Sequence, residues 1–186
     1  MSDSWTVLES VPEYETTWFT GGYDLVEQPD GSRKRYYWAA LAPAVVVVAV
    51  HDGAVVFVEQ YRPTVRETQL ELPAGLVDEH DGEPIDPVAP EAYESAGARE
   101  LREETGLAAD EVTLLQEVAV ATGLLRHRRG IVVAEGLTPT EQELDDNEFL
   151  EVRSVPVEEA IARAREPPTN EATVEGLLLA AADGYL

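Results

Sequence analysis

The chain's 186 residues, 44% of them hydrophobic, suffice for one well-buried core and argue against two full domains. Thirteen basic residues stand against 37 acidic ones, a formal net charge of −24, so the chain offers no basic face to nucleic-acid phosphates. Cysteine is absent, which excludes disulfides and thiolate metal sites, and no run of 18 or more apolar residues suggests a membrane span.

The opening residues, MSDSWTVLES, lack a basic segment followed by an apolar one, so no secretory signal is expected and a cytoplasmic location is the default. GGYDLVEQPDGSRKRYYWAAL predicts two strands around a Pro29-Asp30-Gly31 turn. VVVVAV and AVVFVEQY flank Asp52-Gly53, a strong hairpin signal, and TQLELPAG continues in extended form until Pro73 and Gly75. A polar, proline-rich loop, DEHDGEPIDPVAP, leads into a helix predicted over Glu91–Thr105 and stopped by Gly106. VTLLQEVAVA, GIVVAEG and FLEVRSV predict further strands. Two helices follow, Val157–Arg165 and Glu171–Asp183, the second capped by Asn170. Hairpins mixed with helices predict an α/β fold with a mixed sheet between helices rather than a doubly wound parallel sheet.

The stretch RELREETGL, Arg99 to Leu107, concentrates charge. At 100° per residue Glu100, Glu103 and Glu104 span about 100° of a helix, so their carboxylates share one face. Arg99 precedes Glu103 by four residues and can hold it in place. Hard oxygen donors clustered in this way suit Mg²⁺ or Mn²⁺. In so acidic a chain the same cluster also reads as a solvated face, and spacing alone leaves both readings open.

Glu91, seven residues, then RELREETGL resembles the distal part of the Nudix box, GX5EX7REUXEEXGU with U aliphatic, and every fixed position from Glu91 to Leu107 matches. EQYRP (Glu59 to Pro63), ELPAGLVDE (Glu71 to Glu79), AEGL (Ala134 to Leu137) and EFLEV (Glu148 to Val152) extend the resemblance to the ADP-ribose pyrophosphatase branch of that superfamily. The resemblance implies a Nudix α/β/α sandwich over residues 43–186, preceded by a small β segment over residues 1–42 that serves dimerisation. It implies Mg²⁺-dependent hydrolysis of a nucleoside diphosphate sugar, with ADP-ribose giving AMP and ribose 5-phosphate. The metal ligands it implies are Glu91, Glu100, Glu103, Glu104 and the backbone carbonyl near Ala74. Glu103, Glu104 and Arg99 stand at the catalytic centre, and Arg62 contacts substrate. Two other readings stay open: a pyrophosphatase for other sugar nucleotides or oxidised nucleoside triphosphates, and a Nudix domain that senses a nucleotide sugar without cleaving it.

Two departures from the family pattern stand out. Fifteen residues rather than five separate Gly75 from Glu91, which reads as a ten-residue insertion; Asp81 or Glu83 is the alternative for the first glutamate of the box. In TGLLRHRRGIVVAEGL, Thr122 replaces a proline and Arg126-His127 replaces an expected acidic residue. His127 is therefore a candidate base, with an unperturbed pKa near 6.5, or an exposed loop residue. Arg126, Arg128 and Arg129, three of the chain's twelve arginines, predict an anion clamp for substrate phosphates, Arg126 and Arg128 foremost. Trp18 and Trp38 are candidates to stack on a nucleobase, or to serve a core or dimer interface. Glu148 and Glu151 are reserve carboxylates. The acidic excess, with Lys34 the only lysine, resembles proteins of salt-adapted organisms and predicts a halophilic source. A small-molecule nucleotide and a second copy of the chain are the expected partners.

Overall fold

The computed structural model describes residues 4–77, 88–145 and 147–186. Asp81 and Glu83, and with them Glu79 and His80, lie outside the described residues. By internal contacts the chain divides into two units: Met1–Ala42 with Val118–Arg128, and Pro43–Glu117 with Arg129–Leu186.

The first unit is a four-stranded sheet in the order β1 (Thr6–Glu15), β2 (Phe19–Glu27), β3 (Arg33–Leu41), β10 (Leu125–Arg126). β1, β2 and β3 run antiparallel, and β10 joins β3 in parallel. The β2–β3 hairpin forms about the predicted turn. β1 escapes the element reading because Pro12 and two register shifts, between Val7 and Glu9 and between Pro12 and Tyr14, break its alternation. Large apolar side chains stay exposed here, among them Trp5, Tyr14, Trp18 and Tyr37.

The second unit is built on a seven-stranded mixed sheet. Its path is β13 (Leu150–Pro156), β5 (Ala54–Arg62), β4 (Ala44–His51), β11 (Arg128–Glu135), β9 (Glu111–Ala119). β4 alternates between two cores. Val45, Val47 and Ala49 pack with Ala92, Tyr93, Ala96 and Leu101 of α1 (Pro90–Thr105). Val46 and Val48 pack instead with Ala160 and Ala164 of α2 (Val157–Ala164) and Leu177 and Ala180 of α3 (Glu171–Ala182). Helices therefore cover both faces of the sheet, the α/β/α arrangement expected. β8 (Leu107–Ala108) and β12 (Thr138–Pro139) form a separate pair.

One irregularity prepares the site. β4 and β5 pair only beside their hairpin turn, at Val50–Val55 and His51–Ala54. Beyond that they splay, and the returning chain fills the split: β6 (Glu67–Glu71) pairs with β5 and β7 (Ala74–Leu76) with β4. The Val47 amide closes the seam by donating to the Pro73 carbonyl at 2.9 Å. The LPAG turn is thereby carried to the face that α1 covers.

Candidate active site

α1 buries one stripe, Ala92, Tyr93, Ala96, Gly97, Glu100, Leu101 and Glu104. Spacings of four put Glu100 and Glu104 on the same line as Ala92 and Ala96, facing the core rather than solvent. Their exposures of 8% and 3% decide against a solvated face. Gly106 ends the helix at φ 67°, a left-handed position natural to glycine, and its amide donates to the Arg102 carbonyl.

Burying carboxylates has a cost that shows in their affinity for protons. Burial pushes Glu104 up to about 8, helped by the charges of Glu100 and Glu148 and opposed by a hydrogen bond from the Ala74 amide and the charge of Arg62. That amide donates to Glu104 Oε2 at 3.0 Å. Burial likewise pushes Glu100 up to about 7, against the ion pair with Arg99 and with the repulsion of Glu103 and Glu148. Arg99 Nη1 reaches Glu100 Oε1 at 2.8 Å and Glu103 Oε2 at 3.2 Å, while its Nη2 donates to the Leu76 carbonyl at 2.8 Å. One arginine thus pins two glutamates to the end of β7.

Gly75 lies directly under Glu100. A Cβ built there would stand 1.9 Å from Glu100 Oε1, so only glycine lets the turn approach this closely.

The site's hard oxygen donors, two of them on buried carboxylates, match a divalent cation. Among the described residues no three acidic or histidine side chains already converge as a metal group. Glu100 and Glu103 face Arg99, and Glu104 faces the Ala74 amide, so shared coordination requires rotations about their side-chain bonds.

A NUDIX domain model matches residues 40–177. The chain belongs to the Nudix family. The ADP-ribose pyrophosphatase of Bacillus subtilis is 33% identical over 139 residues, covering 73% of this chain and 70% of that protein. The ADP compounds hydrolase NudE of Escherichia coli is 30% identical over 129 residues, covering 69% and 64%. A crystal structure of an ADP compounds hydrolase superposes with a TM-score of 0.81 at 26% identity, covering 98% of this chain and 97% of that one.

The remaining candidates of this Nudix chain divide by location. Glu91 is exposed in the first turn of α1, nine residues and so about 13 Å along the axis from Glu100, and is not brought to the cluster. Arg62 pairs with Glu71 at 2.7 Å, and its charge is felt at Glu104. Trp38, Arg126, Arg128, His127 and Trp18 belong to the first unit. There Arg126 covers the Trp38 ring at 4.0 Å and forms an ion pair with Asp24, which also accepts from Trp38 Nε1 at 3.0 Å and Ser10 Oγ at 2.7 Å. Burial opposes ionisation of Asp24, but the bonds from Ser10, Arg126 and Trp38 hold its carboxyl below the usual range. Arg126 and Trp38 therefore partner each other within the first unit. His127 is half-buried between β10 and β11, and Trp18, 69% exposed, stands at the β1–β2 turn. Arg129 faces Glu171 at 3.4 Å.

Glu148, held only in reserve by sequence reasoning, is charge-coupled to both buried glutamates. Its approach follows from the preceding segment, which is bonded to the C-terminal end of α1. The Thr140 amide donates to the Gly106 carbonyl at 2.8 Å, the Glu143 amide to that of Glu103 at 3.0 Å and Gln142 Nε2 to that of Glu104 at 2.6 Å. These bonds satisfy carbonyls that a helix end leaves without partners. No periodicity marks a strap of this kind.

Proposed function

We propose that this Nudix hydrolase cleaves the diphosphate of a nucleoside diphosphate sugar in a Mg²⁺-dependent reaction, with ADP-ribose yielding AMP and ribose 5-phosphate. The observation that carries the reading is the pair of buried glutamates, Glu100 and Glu104, on the core face of α1 beside the LPAG turn. The named activities of the Bacillus subtilis and Escherichia coli relatives supply the substrate class.

Glu100, Glu103 and Glu104 would hold the metal, with the Ala74 carbonyl assisting. Once bound, Mg²⁺ (or Mn²⁺) supplies charge neutralisation at the diphosphate and a lowered pKa for coordinated water. The chain's own residues do the rest. Arg99 keeps Glu100 and Glu103 in register, and Arg62 orients the phosphates. Water forms a new O–P bond while the bridging P–O bond breaks, and the water's proton passes to a base. Glu148, coupled to the cluster, suits that role better than His127. Burial behind β7 and α1 limits competing water around the carboxylates.

The exposed aromatics of the first unit support a homodimer formed through that unit. The net charge of −24 supports a salt-adapted cytoplasmic enzyme.

Turnover of a nucleotide panel with Mg²⁺ in molar KCl tests the reading. ADP-ribose is expected to be cleaved with the highest kcat/KM. Preference for an oxidised nucleoside triphosphate would replace the substrate assignment, and binding without turnover would replace the enzyme.

A further inference from the structure

Glu71 is a buried carboxylate, 8% exposed, that none of these roles uses. It ends β6, three residues before Ala74. An unpaired carboxylate at such depth is strongly unfavourable, and here both oxygens are engaged. Oε2 accepts from Arg62 Nε at 2.8 Å, Arg62 Nη2 at 2.7 Å and Gln60 Nε2 at 2.9 Å. Oε1 accepts from Asn170 Nδ2 at 2.7 Å. Asn170 is itself fixed, because its Oδ1 caps α3 by accepting from the Thr173 amide at 2.8 Å. Thr173 Oγ1 in turn accepts from the Leu72 amide at 3.1 Å, which ties the cap back to the residue after Glu71.

Arg62, by contrast, is 44% exposed at the end of β5. A free arginine there would lose rotamer entropy on fixing its fork to a ligand. Glu71 grips one edge of the guanidinium through Nε and Nη2, and Nη1 lies outside that grip. We propose that Glu71, clamped by Gln60 and Asn170, is a positioning residue that presets the Arg62 guanidinium for the diphosphate of the nucleotide. The proposal rests on Arg62 contacting substrate, as in the function above, and adds the device that orders it before substrate arrives.

A double-mutant cycle on the full-length enzyme, with ADP-ribose and Mg²⁺ in molar KCl, tests it. Arg62→Ala and Glu71→Gln should each raise KM by about tenfold, with kcat and the Mg²⁺ concentration for half-activation little changed. The double variant should be no worse than Arg62→Ala, because Glu71 acts only through that arginine. Additive losses, or a normal KM in Glu71→Gln beside a raised one in Arg62→Ala, would overturn the positioning role. An unchanged KM in Arg62→Ala would instead remove Arg62 from the substrate site and the proposal with it. Should Glu71→Gln fail to fold, Asn170→Asp keeps the acceptor for Thr173 but sets a like charge against Glu71. It should raise KM several-fold, and an unaltered KM would again overturn the proposal.

Discussion

Glu104 combines 3% exposure with a carboxyl pushed up to about 8, so in the absence of metal it keeps its proton at neutral pH. Because the folded state holds that proton more tightly than the unfolded chain, Glu104 favours folding fully below the ordinary carboxylate pKa. That contribution is lost as pH rises towards 8, at up to about 1.4 kcal/mol per unit. With EDTA in molar KCl, the melting temperature should fall between pH 5.5 and 8.5, and Glu104→Gln should flatten the fall. Equal slopes in the two proteins would show that burial does not strain this carboxylate. The proton acceptor is a second matter at the scale of single residues. Glu148→Gln should lower kcat by orders of magnitude, while His127→Ala keeps it near the parental value. The reverse result would restore His127.

The splay of β4 from β5 lets β7 reach under α1, and Gly75 is the point of contact. Gly75→Ala would drive the Glu100 carboxylate away. Since the displaced atoms end a flexible side chain, the expected result is lost turnover with a melting temperature only slightly reduced; full activity would show that Glu100 need not sit there. The strap over the end of α1 makes a similar prediction. Gln142→Ala removes a bond to the Glu104 carbonyl, worth about 1 kcal/mol, and should also lower kcat several-fold by loosening Glu148. Hairpins, α1 and the Asn170 cap were legible because alternation, Gly106 and a polar cap residue leave local signals. Helical spacing put Glu100, Glu103 and Glu104 on one face of α1, but only the fold shows that Glu100 and Glu104 are buried. The splay, the Glu71–Arg62–Asn170 network and the pairing of Arg126 with Trp38 join residues up to 99 positions apart, and no local pattern encodes them. β1 was hidden by Pro12 and its bulges.

Charge is unevenly spread over the whole molecule. The first unit carries five basic residues (Arg33, Lys34, Arg35, Arg126 and Arg128) against seven acidic ones, so nearly all of the −24 lies in the second. A second copy of so acidic a chain meets least repulsion through that near-neutral unit with its exposed aromatics. Trp5→Glu with Tyr37→Glu should therefore convert a dimer to a monomer by light scattering, whereas an unchanged mass would place the interface elsewhere. Lowering KCl from 1 M to 0.1 M lengthens the Debye length from about 3 to about 10 Å, and the melting temperature should drop accordingly. A constant value would separate the acidity from salt adaptation. The central claim, a metal-dependent hydrolase working from the buried face of α1, meets its most direct test in AMP release from ADP-ribose in molar KCl. The parent enzyme should release AMP with Mg²⁺ and stop with EDTA, and Glu104→Gln should fall by orders of magnitude while still folded. Near-parental release by Glu104→Gln, or release unaffected by EDTA, would contradict the account.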